Sequence, residues 1–314
     1  MRILFWGTPD FAIPSLRALL GEGHDVVGVV TQPDRPAGRG RTVQAPPVKR
    51  VALEEGIPVL QPERARGDAF LAQLRALEPD ISVVVAYGQI LRREVLELPP
   101  LGSINVHASL LPELRGAAPI NWAIIRGYRE TGVTIMRMVE RMDAGPILYQ
   151  VRVPIAEDER AGDLWTRLSE VGAAALVQAL ALLEIGEIEE VEQDESKATY
   201  APRLTRQDAR VDWSLDAVSV DRTIRGMDPV PGAWTTWNGR ELKLFRPRPV
   251  PDHTHDASPG TILEADGHDP TQGIFVACGR GGIYIREVTP AGRRRMTAAE
   301  WVRGRGPRTG DRFE

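Results

Sequence analysis

The chain of 314 residues contains one cysteine, Cys278, and five histidines. A single cysteine excludes an intrachain disulfide, and with no Cys or His spaced around it the thiol reads as a small buried side chain, as suits a reducing cytosol. No uninterrupted apolar run approaches membrane-spanning length, and residues 1–7 pass straight into a strand without the apolar core of a signal peptide. Neither export nor a membrane anchor is expected. The first strand-to-helix turn has Gly7 alone before Thr8-Pro9-Asp10 and lacks the three-glycine dinucleotide fingerprint, which argues against a nicotinamide or flavin dinucleotide enzyme. His253, His255 and His268 lie in a loop rich in Pro, Asp and Gly, and His107 and Asp143 have no third ligand nearby, so no metal is expected. Internal repeats are absent.

Charge is nearly balanced, with 39 Lys+Arg against 43 Asp+Glu and a net of −4. Uniform coating of a polyanion is excluded, but a local basic patch is not. From Arg206 onward the net is +2, a weak asymmetry toward polyanion contact in the second part. The length fits two domains. Strand-like runs at 2–6, 26–30, 59–60 and 81–86 alternate with helical spacing at 11–20, 48–55, 70–77 and 91–98, which predicts an α/β domain with a doubly wound, Rossmann-like parallel sheet. A long Ala- and Leu-rich helix over 161–183 closes it, and an acidic, polar stretch follows. The expected division is a domain over 1–185, a linker over 186–204, and a smaller domain over 205–314 whose short alternating runs, such as 241–245 and 282–285, suit a small antiparallel barrel. Asp228-Pro229-Val230-Pro231-Gly232-Ala233-Trp234 reads as a rigid turn into one of its strands.

The chemistry centres on residues 102–119. A short strand over 102–106 places Asn105 and His107 on one face at the strand's end by its period of two. Residues 109–115 lack periodicity and read as a loop, and Pro119 suits the first turn of the next helix. In an open α/β sheet, the carboxyl end of a strand is where ligands bind. A second strand over 131–139 breaks at Met142-Asp143-Ala144-Gly145-Pro146, with Asp143 at the tip of a turn. An Asn, a His and an Asp without a nucleophile suit acyl transfer by direct aminolysis. The Asn105 amide can stabilise the oxyanion of a tetrahedral intermediate, a protonated His107 can donate to the same oxygen or to the leaving nitrogen, and Asp143 can hold the ring and help move protons. Taken singly, His107 also fits a hydrogen-bonded surface residue, and Asp143 fits a turn former.

Asn105-Val106-His107, Ser109-Leu110-Leu111-Pro112, Arg115-Gly116-Ala117-Ala118-Pro119 and Gly132-Val133-Thr134-Ile135 followed by Met142-Asp143-Ala144-Gly145 resemble the folate-dependent formyltransferase superfamily. Within it, residues 7–12, 31–40, 85–88 and 228–234 are similar to the branch that acts on methionyl-tRNA, and the likeness covers nearly the whole chain. The resemblance implies formyl transfer from 10-formyltetrahydrofolate, a co-substrate and not a tightly bound cofactor, to the α-amine of methionyl initiator tRNA. It implies that Asn105, His107 and Asp143 are catalytic and that Ser109, Leu110, Leu111 and Pro112 hold the folate carrier. It also implies that the second domain is an oligonucleotide-barrel-like module supporting tRNA.

The long basic segment over 32–50 has a local charge of +4 and is usually functional or disordered at that length. With the resemblance it reads as contacting the acceptor end of a tRNA through Arg39 and Arg41, because arginines between glycines pair with phosphates. Tyr87 and Gly88 end the buried strand 81–86, and their backbone could wall a flat heterocycle, although packing alone explains Tyr87. Arg293, Arg294, Arg295, Arg303, Arg305, Arg308 and Arg312 suit either RNA backbone contact or a solvated tail. The expected enzyme is a cytoplasmic monomer with no membrane partner. The rivals are a formyltransferase acting on a nucleotide-linked amino sugar and a tRNA-binding module with an inert α/β domain.

Overall fold

The computed structural model describes residues 1–37, 42–269 and 271–314, so Arg39 and Arg41 lie outside the described residues. The chain divides into two compact units, one of residues 1–119, 130–154 and 165–202, the other of residues 120–129, 155–164 and 203–314.

In chain order the elements are β1 (Arg2–Gly7), α1 (Ile13–Gly21), β2 (Asp25–Val30), a ribbon of β3 (Arg35–Ala37) and β4 (Thr42–Gln44), α2 (Pro47–Glu54), β5 (Val59–Leu60), α3 (Asp68–Ala76) and β6 (Ile81–Val85). There follow α4 (Arg93–Leu96), β7 (Ser103–His107), α5 (Pro119–Ile125), β8 (Glu130–Arg137), β9 (Ile147–Pro154) and α6 (Ala161–Glu184). The first unit is built on a seven-stranded sheet in the order β5-β2-β1-β6-β7-β8-β9. It is parallel from β5 to β7, and the last two strands run antiparallel, an edge that the all-parallel expectation did not include. β6 is buried along its whole length, as a central parallel strand covered on both faces must be.

Register decides which side chains share a face. Leu4 and Trp6 of β1 pack with Phe70, Leu71 and Leu74 of α3 and with Val95 and Leu96 of α4. Trp6 is level with Val84, and Val84 with Asn105, so Asn105 and then His107 point to that same face of the sheet. Val106 points to the other face, where Gly172 of α6 lies against it and against Val133. Thus helices cover both faces, and the polar pair emerges at the end of the one strand that neighbours both the parallel and the antiparallel part. α6 is long and apolar enough to cross a membrane by length and composition, although Asp163, Arg167 and Glu170 interrupt it, so the expectation of no uninterrupted apolar run of that length stands. Its Leu168, Leu176, Ala179 and Leu180 are buried, as in the core helix of a folded domain. Residues 186–202, expected to link the domains, belong to the first unit, where Val191 and Ile147 exchange backbone hydrogen bonds.

The second unit carries α7 (Ala217–Met227), β10 (Ala233–Trp237), β11 (Arg240–Val250), β12 (Ile262–Ala265), β13 (Ile274–Ala277), β14 (Gly282–Pro290), β15 (Met296–Thr297) and α8 (Ala298–Arg303). Its antiparallel sheet has the order β10-β11-β14-β13-β12, with β15 beside β14. The final residues close it: Glu314 exchanges backbone hydrogen bonds with Thr236 of β10, while Ile262 N–H donates to Asp311 and Phe313 N–H to Gly260 at the edge of β12. Closure removes the free edges, which is the advantage of a barrel. Val220, Ile224 and Met227 of α7 pack with Leu242, Leu244, Val276, Ile283, Ile285 and Phe313 in its core. Asp216 caps α7 by accepting from the N–H groups of Val218 and Ser219, and Thr297 and Glu300 form a reciprocal cap on α8.

Gly132 of β8 has no room for a side chain, since a Cβ there would stand 2.1 Å from the Val151 carbonyl oxygen and 2.5 Å from Leu110 Cδ2. Gly132→Ala is expected to destabilise the protein by about 1–3 kcal/mol through overpacking, measured as a lowered urea midpoint.

Candidate active site

β7 ends on His107, which is buried, and two residues earlier Asn105 is half-buried. Among the described residues the Asn105 amide makes no hydrogen bond within the chain, so its donors remain free for a ligand. His107 is held differently. Its Nε2 lies 3.0 Å from the carbonyl oxygen of Leu114, and because a carbonyl can only accept, Nε2 carries the proton and donates. In the neutral ring Nδ1 then has the lone pair. That nitrogen faces Asp143, whose Oδ2 is 3.8 Å away, too far for a hydrogen bond but close enough to balance an imidazolium charge. Asp143 Oδ2 also accepts from the Gly116 N–H at 2.8 Å. Asn105, His107 and Asp143 therefore meet at the end of β7, with the turn between β8 and β9 contributing the carboxylate. Asp143 has φ +50°, a left-handed conformation seldom adopted outside glycine and short polar residues.

The loop after β7 is tied to the sheet by one hydroxyl. Thr134 of β8 is level with His107 of β7 and with Gln150 of β9, so all three share a face. The Thr134 hydroxyl donates to the Ser109 carbonyl at 2.7 Å and accepts from the Leu111 N–H at 3.1 Å and from Gln150 Nε2 at 2.9 Å. Gln150 also donates to the Leu111 carbonyl at 2.8 Å. Ser109 is wholly buried, and its hydroxyl donates to the Glu113 carbonyl at 2.6 Å; Leu111 is buried too. Of the four residues expected to hold the folate carrier, Leu110 and Pro112 retain partly exposed surface, and Ser109 and Leu111 shape the loop from within.

A third segment completes the site. Arg115 is 1% exposed, and its guanidinium donates to Gln193 Oε1 and to both carboxylate oxygens of Glu195. Arg141 pairs with the same Glu195. Hydrogen bonding to Arg115, above all, holds the Glu195 carboxyl below its ordinary value. The Leu114 N–H donates to Thr199 Oγ1, the Arg115 N–H to the Thr199 carbonyl, and the Ala201 N–H to the Arg115 carbonyl at 2.7 Å. Gly116, at φ +118°, allows this approach, because a Cβ there would stand 2.7 Å from the Ala201 oxygen.

Tyr87 is buried, edge-on to Trp6 at 5.2 Å, and burial pushes its hydroxyl up to about 12. Its carbonyl accepts from Thr8 and Gln32. The Cys278 thiol is buried and likewise pushed up to about 12 by burial. Among the described residues no cluster of three or more His, Cys, Asp or Glu could hold a metal ion. Of the seven C-terminal arginines, Arg295 binds Asp228 and Glu287 and lies over Phe245, Arg303 donates to the Gly267 carbonyl, and Arg312 donates to the Pro259 carbonyl. Sequence reasoning assigned no role to Leu114, Thr134, Gln150 or Gln193, although Thr134 stands in one of the motifs that carry the resemblance. Leu114 acts through its carbonyl, which carries no side-chain signal, and Gln193 sits in a stretch whose composition resembles a linker.

Residues 1–180 match the formyl transferase family, and residues 203–306 match the formyl transferase C-terminal domain. The chain is 46% identical over 311 residues to the methionyl-tRNA formyltransferase of Bacillus velezensis, covering 99% of this chain and 96% of that one. It is 48% identical over 304 residues to the enzyme of the same name from Desulfotalea psychrophila, covering 97% and 93%. The solved N-formyltransferase of Helicobacter canadensis, in complex with folinic acid and dTDP-3-aminofucose, superposes with a TM-score of 0.64 at 16% identity over 91% of this chain and 98% of that one. At that identity the likeness speaks for the fold alone.

Thr134→Val keeps the shape of the side chain and removes the hydroxyl that ties the loop to the sheet. It is expected to cost about 1–3 kcal/mol for the buried groups left unpaired, read from the urea midpoint.

Proposed function

Because this chain belongs to the formyl transferase family, we propose that it transfers the formyl group of 10-formyltetrahydrofolate to the α-amine of methionyl initiator tRNA. The observation that carries this reading is the near full-length match to methionyl-tRNA formyltransferases, which includes the second unit as well as the catalytic one. The free amine attacks the formyl carbon, forming the new C–N bond and placing negative charge on the formyl oxygen. The unoccupied donors of Asn105 and a proton on His107 Nδ1 stabilise that oxygen, whose charge exists only in the intermediate and the transition states flanking it. The working nitrogen is Nδ1, because Nε2 is held by Leu114. Asp143 balances the imidazolium charge and assists, directly or through water, in moving the proton from the attacking nitrogen to N10 of the folate. The bond from the formyl carbon to N10 then breaks, and tetrahydrofolate leaves as the neutral amine.

The loop over 109–112 is proposed to take the folate through the exposed surface of Leu110 and Pro112, with Ser109 and Leu111 fixing its shape. Arg39 and Arg41 are proposed to contact tRNA phosphates. The reading favours a cytoplasmic enzyme that acts as a monomer, and it routes no step through a metal.

Asn105→Ala, His107→Ala and Asp143→Ala are each expected to lower kcat by about 100-fold or more while sparing tRNA binding, measured by single-turnover transfer of labelled formyl. Near-normal turnover in any of them would remove that residue from the mechanism. Presented with methionyl initiator tRNA and a nucleotide-linked amino sugar in parallel, the enzyme is expected to formylate only the RNA-borne amine; label in the sugar would overturn the proposed acceptor. Replacing Arg39 and Arg41 together with Ala is expected to flatten the plot of log affinity for tRNA against log salt by roughly 1–2 in slope. An unchanged slope would exclude the loop from the interface.

A further inference from the structure

A buried glutamine from residues 186–202, Gln193, reaches into the turn that carries Asp143. Gln193 Nε2 has two protons, and they donate to the carbonyls of Asp143 at 2.9 Å and Gly145 at 2.7 Å. Its Oε1 accepts from Arg115 Nε at 3.1 Å and Nη2 at 2.7 Å. Every hydrogen-bonding position of this amide is thus filled, and its orientation is fixed by chemistry: a flipped amide would set oxygen against two carbonyls and N–H against a guanidinium. The two carbonyls flank Ala144, so the bonds grip the turn just after the left-handed Asp143. The Asp143 carboxylate is held from the other side by the N–H of Gly116, the residue next to Arg115. Arg115 therefore anchors both ends of the grip, through its side chain to Gln193 and through its chain neighbour to the carboxylate. A buried guanidinium tied to Gln193 and to the half-exposed Glu195 is a firm anchor, since leaving these partners would strand its charge in the interior.

Resting on the role proposed above for Asp143, we infer that Gln193 is a positioning residue for formyl transfer: it holds the Asp143 carboxylate opposite His107 Nδ1. The separation of 3.8 Å is set by no direct bond between the two side chains, so it depends on the placement of the turn. The hydrogen bonds of Gln193 go to Arg115 and to the carbonyls of Asp143 and Gly145, so its effect passes through the backbone of the turn.

Two variants of the full chain separate this role from general support. Gln193→Met keeps the bulk and loses every hydrogen bond. Gln193→Glu keeps acceptors for Arg115 and loses the donors to the turn. Both are expected to lower kcat by about 10- to 100-fold, the scale of a misplaced catalytic group, with KM for folate and for methionyl-tRNA within about twofold of wild type. Rates are expressed per active site, counted by titration with tetrahydrofolate, so that partial unfolding does not enter. In an Asp143→Asn background, Gln193→Met is expected to cost less than about twofold more, because the two act as a unit. If either variant fails to fold, the other carries the test. Wild-type kcat per active site in Gln193→Glu or Gln193→Met, with Asp143→Asn impaired, would overturn the positioning role alone, as would a full multiplicative loss in the double variant. Wild-type kcat in Asp143→Asn itself would overturn the proposed role of Asp143, and this inference with it.

Discussion

The buried guanidinium of Arg115 is the constraint from which the site is built. A full charge with 1% of its surface exposed must find partners inside the protein, and Arg115 finds them in Gln193 and Glu195, some eighty residues further along the chain. Satisfying that charge obliges residues 186–202 to return to the loop after β7. The backbone of the same arginine pairs with Thr199 and Ala201, so the return is fixed in register as well as in place. Leu114, one residue before, receives a position from this pairing, and its carbonyl in turn fixes which nitrogen of His107 bears a proton.

The chemistry of the site follows from an imbalance among its three polar groups. His107 is committed at Nε2 and open at Nδ1; Asp143 is committed through Oδ2 to a backbone N–H; Asn105 is not committed to any described residue. An uncommitted amide at the end of a strand is what an oxyanion needs, because its donors lose no existing partner when a ligand arrives. A carboxylate that stands off the imidazole without bonding to it can balance charge there and still exchange protons with a substrate amine or a water. Asp143, expected from the sequence to hold the ring, stands 3.8 Å from Nδ1 as a spaced pair, and a backbone carbonyl holds the ring at Nε2.

The second unit shows a different economy of charge. Seven arginines in its last stretch suggest an open basic surface, yet Arg295, Arg303 and Arg312 are engaged with Asp228, Gly267 and Pro259. The final residues are part of the barrel, since 311–314 join β10 to β12 and bring Phe313 into the core. Composition alone does not separate such structural arginines from those left for a polyanion.

Much of the first unit was legible in the sequence because its signals are local. The apolar run at 81–85 requires a strand covered on both faces, and the period of two from Asn105 to His107 sets both on one face whatever the rest of the chain does. The motifs around Asn105, His107 and Asp143 carried the resemblance to the formyl transferase family, which the match over residues 1–180 bears out, and the roles proposed for the three side chains rest on that resemblance. The antiparallel turn of the sheet at β8, the carbonyl of Leu114 and the grip of Gln193 were not legible. Each depends on a partner distant in sequence, and a backbone carbonyl or a glutamine in an acidic stretch has no pattern of its own. The sequence by itself determined which functional groups are present and which face of β7 they share. Only the tertiary structure decided how far Asp143 stands from the imidazole and which nitrogen it faces, because those follow from where a buried charge found its partners.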